Sequence, residues 1–455
     1  MEILGLDLPW WLTLITFFGL LLALMSTGMP VAIAFALLNI AGLIMVKGSM
    51  GLLLLPGSVY RSVATFNLLA IPMFFLLGEV LFQSRVIGLT IDVMDRWIGK
   101  VRARLLFISL GAGTALATLS GAGMADTALL GTTLHPEMEK RGYERRISLG
   151  TLMSSGLLAA IIPPSALAVL VGSFAEVSIA RLLIAGILPG LMMATVYGIY
   201  IYVRVKINPS LAPPYVGEGV GWGSRLGGLA LLSPLGIIVI MVMGFIIFGV
   251  TTPSEAAATG AIGAFIVVAL YRLIRASIKS KSLEGVRFDY QVVKDALYGT
   301  VYIGGMIFLI ITGAVALGQL LALTGATRDF LDFIVGLAVP TVVLVIIVHL
   351  AVLLLGFFID QLSIMLVAIP VLVPIVEGLG IDPVWFWVLF LMNISVGAIT
   401  PPFGMMLFAL KGVVPQASMT DLYRASIPFV ILDMIAIGLV IAFPPIATWL
   451  PGLIN

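Results

Sequence analysis

The chain has 455 residues, of which 61% are hydrophobic and only 10% charged, with a mean hydropathy of +1.20. Soluble domains carry about 45–50% apolar and about 25% charged residues, so this composition excludes a water-soluble globule and demands a lipid solvent. The net charge of +2 selects no partner class, and the absence of cysteine excludes disulfides, thiolate metal sites and cysteine nucleophiles.

Taken in chain order, the first residues, MEILGLDLPWW, lack the basic n-region and small-residue cleavage site of a secretory signal, so the first helix is expected to be retained. A spanning helix needs about 20 apolar residues. Spans are predicted at roughly 10–26, 30–47, 63–82, 181–203, 228–249, 254–274, 297–322 and 425–447. Four other stretches differ. Residues 105–134 and 340–374 are long and apolar but interrupted, and are predicted to be hairpins that turn back within the membrane. Residues 147–172 and 385–410 carry Pro163–Pro164 and Pro401–Pro402, which no continuous helix accommodates, and are predicted to be broken helices. Trp10, Trp11 and Trp449 suit interfacial aromatic belts.

Basic residues cluster in three places. Arg85, Arg96, Lys100, Arg102 and Arg104 form the first, within a stretch, 85–104, expected to be a surface helix or loop. Lys140, Arg141, Arg145 and Arg146 form the second. Arg272, Arg275, Lys279, Lys281, Arg287 and Lys294 form the third. The positive-inside rule makes all three cytoplasmic. With both termini outside, only Lys47, Arg61, Arg181 and Arg328 of the 24 basic residues fall outside.

A shift of 238 residues brings LHPEMEKRGYE (134–144) over LVPIVEGLGID (372–382), and AAIIPPS (159–165) over GAITPPF (397–403). The identities concentrate at prolines and glycines, which set backbone shape: Pro136/Pro374, Gly142/Gly380, Pro163/Pro401 and Pro164/Pro402. TGMPVAIA at 27–34 and TTPSEAAA at 251–258 are a smaller echo. The expected fold is an all-α integral membrane protein of two inverted-topology repeats, residues 1–205 and 228–455, joined by a cytoplasmic linker at 206–227. Its re-entrant hairpins and broken helices are those of secondary transporters. Unpaired backbone at mid-membrane is tolerated beside a cavity or ligand, so the breaks are candidate sites.

The first hairpin tip reads Ser120-Gly121-Ala122-Gly123-Met124-Ala125-Asp126. Ser120, Asp126 and the tip carbonyls are candidate ion or solute ligands; the alternative for Asp126 is a helix cap. The first break follows Ser154-Ser155-Gly156 and centres on Pro163-Pro164-Ser165; the second is Thr400-Pro401-Pro402-Phe403-Gly404, preceded by Asn393 and Ser395. Helix half-ends there would turn a positive dipole end to an anion and carbonyls to a cation, whereas the plainer reading is a proline kink. Asn393 aligns with Ser155. Asp360, in Gly356-Phe-Phe-Ile-Asp360-Gln361-Leu-Ser363, needs a partner such as sodium or a hydroxyl, or a structural donor such as His349. His349 itself reads as a satisfied polar residue, and Thr252-Pro-Ser-Glu255 as a capping box. Glu79 is left open between a cap and a pathway acid. No nucleotide-binding G-x-x-x-x-G-K-[ST] occurs, so an ion gradient is the expected energy source.

The motifs resemble the large membrane subunit of tripartite ATP-independent periplasmic (TRAP) transporters over about residues 25–447. FNLLAIPMFFLLGEVL (66–81), SGAGMADTALLG (120–131), PEMEKRGY (136–143), IIPPS (161–165) and VSIARLLIAGILPGL (177–191) carry the likeness in the first half. TPSEAAA (252–258), GFFID (356–360), GIDPVWF (380–386) and TPPFG (400–404) carry it in the second. The resemblance implies a sodium-coupled importer of small organic anions in the bacterial inner membrane. C4-dicarboxylates, sugar acids and keto acids are the implied solutes. A periplasmic solute-binding protein and a separate, small four-helix membrane subunit are the implied partners, and the motion is that of an elevator. It implies no cofactor beyond Na+ as coupling ion, and no enzyme activity. By the likeness, sodium and solute sites fall at Ser120, Gly121, Ser155 and Pro163, and at Gly356, Asp360, Asn393, Thr400 and Pro402. Ala122 departs from the Ser-Gly-Ser tip common in the family. A proton-coupled carrier or exchanger of the same architecture stays open, with an ion channel or membrane enzyme further off.

Overall fold

The computed structural model describes residues 2–453 apart from 4, 5, 8, 87, 100, 121, 122, 215–220, 279–286, 337, 338 and 358. Apart from two antiparallel two-residue strands, Glu2–Ile3 and Leu6–Asp7, its regular elements are helices. The first half runs α1 (Trp10–Ser26), α2 (Val31–Lys47), α3 (Leu54–Val63), α4 (Ala70–Gln83) and α5 (Gly88–Trp97). A hairpin of α6 (Arg104–Ser120) and α7 (Gly123–Lys140) follows, then a broken helix of α8 (Arg145–Leu157) and α9 (Ala166–Phe174), then α10 (Ile179–Ala185) and α11 (Ile187–Ile207). The second half places α12 (Trp222–Ile247), α13 (Pro253–Ile278), α14 (Tyr290–Leu323) and α15 (Ala326–Gly336) before its hairpin. Its hairpin is α16 (Thr341–Gly356) and α17 (Gln361–Gly378), its broken helix α18 (Pro383–Gly397) and α19 (Met405–Val413). The chain closes with α20 (Met419–Ala442) and the short α21 (Pro445–Thr448).

Both stretches predicted to be hairpins form helix–turn–helix pairs and both breaks are present, and α17, the outgoing arm of the second pair, is itself long and apolar enough to cross a membrane. The second hairpin's outgoing arm continues to Gly378 through Pro370 and Pro374, beyond the expected end at 374. Helix α12 begins at Trp222, inside the stretch expected to be linker. Two helices, α3 and α15, fall where no span was expected. Among the described residues, seven helical stretches are long and apolar enough to cross a membrane, and α1, at 17 residues, is shorter. Trp11 and Trp449 are exposed, while Trp10 packs its ring on Phe330 and Phe333 of α15, with centroids 5.3 and 5.0 Å away.

The repeat is a repeat of backbone geometry. Gly142 and Gly380, 238 residues apart, both hold positive φ, +79° and +62°. Each ends a hairpin with the same pair of hydrogen bonds: Gly142 N–H to Glu139 O and Tyr143 N–H to Met138 O, against Gly380 N–H to Glu377 O and Ile381 N–H to Val376 O. That is a Schellman ending, which requires a left-handed residue and favours glycine. Two residues on, Glu144 caps α8 by accepting from Ile147 N–H at 2.8 Å, and Asp382 caps α18 by accepting from Trp385 N–H at 3.0 Å.

Helices α8 and α18 are buried on every side from Ile147 to Leu157 and from Val384 to Gly397. Helix α18 is largely apolar, as a core helix should be, whereas α8 buries Ser148, Thr151, Ser154 and Ser155, each bonded to a carbonyl three or four residues back. Around them pack the two hairpins with α11 and α20: α6 and α20 on α8, α16 and α20 on α18, and α7 against α19 of the opposite half. A second group forms where α4 packs on α13 and α14, α14 on α2, and α12 on α13. Asn39 of α2 donates to Gly313 O of α14 at 2.8 Å, a buried tie within this group. The first hairpin's base is tied by Arg104, almost fully buried, whose guanidinium lies 3.0 Å from the Asp95 carboxylate on α5.

Candidate functional site

At each break the chain changes direction, and the turn takes up one carbonyl from the end of the inner half-helix. Pro163–Pro164 and Pro401–Pro402 are both cis. In the first, Ser165 accepts from Ala168 N–H at 3.3 Å as the cap of α9 and donates to Ala160 O at 2.8 Å, closing the turn on itself. In the second, Gly404 stands near that position, and Met406 N–H bridges back to Ala398 O at 2.9 Å. A side chain at Gly404 would fall 2.6 Å from the same Ala398 carbonyl.

The two hairpin tips and the two breaks meet at one cavity of about 340 Å3. The first residues of three helices line it: Gly123 of α7, Gln361 of α17 and Met405 of α19. Opposed to them are the ends of the inner half-helices, at Gly156 and Leu157 of α8, Ala160, and Ala398 just after α18. Helix N-termini present free N–H groups and a positive dipole end, and C-termini present carbonyls. The remaining wall comes from the second helix group, with Phe75 and Glu79 of α4 and Ile303 and Met306 of α14.

Asp360 lines this cavity. It caps α17: one oxygen accepts from Ser363 N–H at 3.1 Å and the other from the Ser363 hydroxyl. The expected alternative of a pairing with His349 is not what forms. His349 lies on α16 and takes Asn393 instead, whose Nδ2 donates to His349 O at 2.5 Å and sits 3.4 Å from Nδ1. The reason is azimuth: His349 faces the buried helix α18, whereas Asp360 begins the returning arm. Gln361 joins the tip to α18 through Ile394 O, at 3.3 Å.

The other predicted residues divide. Ser155 is fully buried, donates to Leu152 O at 3.0 Å within α8, and packs against Gly113 of α6. It therefore faces the incoming hairpin arm, as its counterpart Asn393 does. Asp126 is fully buried in the first turn of α7 and is not on the cavity wall. Thr400 donates to Val396 O at 2.7 Å, and Gly356 lies backbone to backbone against Gly397. Pro163 is buried, while Pro402 is exposed and accepts the Tyr423 hydroxyl at its carbonyl, 2.9 Å away. Ser120 ends α6; its side chain, together with Gly121 and Ala122, lies outside the described residues. Among the described residues no three His, Asp or Glu side chains gather as a metal site. Oxygen ligands at the tips and half-helix ends suit a hard monovalent cation.

Glu255 is a structural residue. Its carboxylate accepts from Thr252 N–H at 2.8 Å and from the Thr252 hydroxyl at 2.9 Å, and Thr252 Oγ1 accepts from Glu255 N–H at 3.3 Å. Thr252→Ala is expected to lower stability by about 1 kcal/mol in denaturant titration of the solubilised protein, and to leave the sodium dependence of uptake unchanged. A shifted sodium dependence would move this turn into the transport machinery.

One buried acid escaped the sequence reading. Asp433, fully buried in α20, accepts the hydroxyl of Tyr197 on α11, and Phe429 packs edge-on against that ring at 5.5 Å. An acid inside the apolar run ILDMIA was the available signal.

Residues 18–446 match the family model of the tripartite ATP-independent periplasmic transporter, DctM component. The C4-dicarboxylate TRAP transporter large permease protein DctM of Vibrio cholerae is 28% identical over 445 residues, covering 96% of this chain and 97% of that one. The ectoine large permease TeaC of Halomonas elongata is 29% identical, covering 95% and 97%. The sialic acid large permease SiaM of Vibrio cholerae is 27% identical, with the same coverage of 95% and 97%. In fold the chain is similar to the YdaH transporter of Alcanivorax borkumensis, with a TM-score of 0.62 at 14% identity over 89% of this chain and 91% of that one. The protein is thus a multi-pass membrane protein and belongs to the DctM component family of tripartite ATP-independent periplasmic transporters.

Proposed function

We propose that this chain is the translocating subunit of a sodium-driven importer of small organic acids in the bacterial inner membrane, with both termini periplasmic. The observation that carries the reading is the convergence of the N-termini of α7, α17 and α19 with the carbonyl ends of α8 and α18 on one small cavity. Amide ends suit a carboxylate and carbonyl ends suit a cation, so solute and coupling ion bind side by side. Sodium ligands are drawn from the tips and breaks: Ser120, Gly121, Asp126, Ser155 and Pro163 in one half, Gly356, Asp360, Asn393, Thr400 and Pro402 in the other. The relatives named for C4-dicarboxylate, ectoine and sialic acid support an organic acid as cargo. The cavity lies at the junction of two helix groups, which supports an elevator in which the hairpins and broken helices slide against the group of α2, α4, α13 and α14. A periplasmic binding protein delivers the acid, and a small membrane subunit flanks this chain.

The test is uptake of labelled acid into proteoliposomes holding this chain with its small subunit, with the binding protein outside. Under an inward sodium gradient, uptake is expected to exceed that in potassium at the same pH by at least tenfold, and to need the binding protein. Uptake indifferent to sodium and driven by a pH gradient would overturn the coupling ion, and uptake without the binding protein would overturn the tripartite reading.

A further inference from the structure

We propose that the solute carried through this cavity is a zwitterion, and that Glu79 is the residue that reads its cationic end. The inference rests on the importer reading and deepens it.

The charge inventory of the cavity is one-sided. Its charged lining residues, among the described residues, are Glu79 and Asp360, and no lysine or arginine reaches it. The tip residues outside the described set, Gly121, Ala122 and Phe358, are not basic either. Asp360 has both carboxylate oxygens engaged by Ser363. Glu79 does not. Its Oε2 accepts from Gln83 Nε2 at 3.0 Å, and Oε1 has no donor among the described residues.

Glu79 is also held in place. A methyl group on Gly299 of α14 would fall 3.0–3.2 Å from the Glu79 carboxyl atoms, so that carboxyl rests on bare backbone where a larger residue would crowd it. Gln83, one turn along α4, holds it by donating to Oε2. A half-buried carboxylate clamped between two helices and turned to a cavity is a positioned ligand-binding group.

The two walls are therefore of opposite character. On the hairpin-group wall are the first residues of α7 and α19, whose amide ends favour negative charge, while the N-terminus of α17 is already capped by Asp360. A solute with one carboxylate and one ammonium or amidinium group complements both walls. A dicarboxylate would set its second negative end near Glu79 with no basic side chain to offset it, and like-charge juxtaposition is a strong device for rejecting a ligand. Glu79 sits in the α4–α14 group and the amide ends in the hairpin group. Only a solute spanning the cavity touches both, which makes Glu79 a selectivity residue rather than part of the ion site.

The experiment measures ligand-dependent thermal stabilisation of the full chain in lipid nanodiscs with sodium present, free of binding-protein selectivity. The zwitterions ectoine and glycine betaine are compared with the dianions succinate and malate, in wild type, Glu79→Gln and Glu79→Asp. At least one zwitterion is expected to bind wild type, and neither dianion at the same concentration. Glu79→Gln is expected to weaken zwitterion binding by roughly tenfold or more, since a charge-assisted contact is lost, and to admit succinate. Glu79→Asp keeps the charge and should keep the preference for zwitterions. Sodium-dependent binding of a dianion by wild type, or a zwitterion affinity unmoved by Glu79→Gln, would overturn the inference and leave the importer standing. Failure of all four to bind wild type would overturn the zwitterion inference, and the sodium-gradient uptake assay decides the importer reading separately.

Discussion

Asp360→Asn is expected to reduce sodium-stimulated uptake to the level seen in potassium while the protein remains folded in membranes, and Asp360→Ala to do the same with an added loss of stability. The separation of the two variants follows from the two jobs of this side chain. As the cap of α17, Asp360 satisfies Ser363 N–H, and it also engages the Ser363 hydroxyl. Asparagine caps helices about as well as aspartate, whereas alanine forfeits about 0.5–2 kcal/mol. Charge is the second job. Asp360 lines the cavity at the start of α17, where its carboxylate can neutralise a cation. Uptake in sodium and in potassium, with thermal unfolding measured on the same preparations, decides between the roles. If Asp360→Asn transports normally in sodium, the residue is a cap alone and the sodium site of the second half is built from backbone.

Gly123→Ala and Gly156→Ala are expected to cut transport by roughly a hundredfold, the scale on which a displacement of about 1 Å acts at a positioned site. Overpacking is expected to lower stability by about 1–3 kcal/mol. A Cβ on Gly123 would fall 2.3 Å from Gly156 O, and one on Gly156 would fall 2.1 Å from Thr127 Oγ1 and 2.7 Å from Gly123 O. Backbone cannot rotate away as a side chain can, so the hairpin tip and α8 must separate. The corresponding approach in the second half, Gly356 against Gly397, leaves 3.0 Å for a new Cβ. Gly356→Ala should therefore be milder. Gly19, on α1 with nothing within 4 Å of a new Cβ, serves as the control, and Gly19→Ala should leave uptake unchanged. Equal activity of Gly123→Ala and Gly19→Ala would show that the tip-to-helix approach is not needed for transport.

The features the chain determined by itself are those built into a few consecutive residues. Proline pairs cannot continue a helix, so both breaks could be placed from sequence alone. Gly142 and Gly380 hold the positive φ that a Schellman ending demands, and Thr252 and Glu255 close a capping box three residues apart. Apolar runs of membrane-spanning length are equally local. Helix α15 escaped because its pattern is amphipathic and short, and α3 because Pro56 and Gly57 interrupt an otherwise apolar stretch that begins as a 3-10 turn. What tertiary structure alone decided is which side chains meet. His349 turns to Asn393 and leaves Asp360 to its own helix. Asp433 finds Tyr197 across 236 residues of sequence. Ser155 and Asn393 face hairpin arms, while Glu79, undecided in the sequence, stands on the cavity wall against Gly299. Such pairings depend on the rotation of each helix about its axis and on how closely glycines let two backbones approach. Neither is encoded by residues adjacent in the chain.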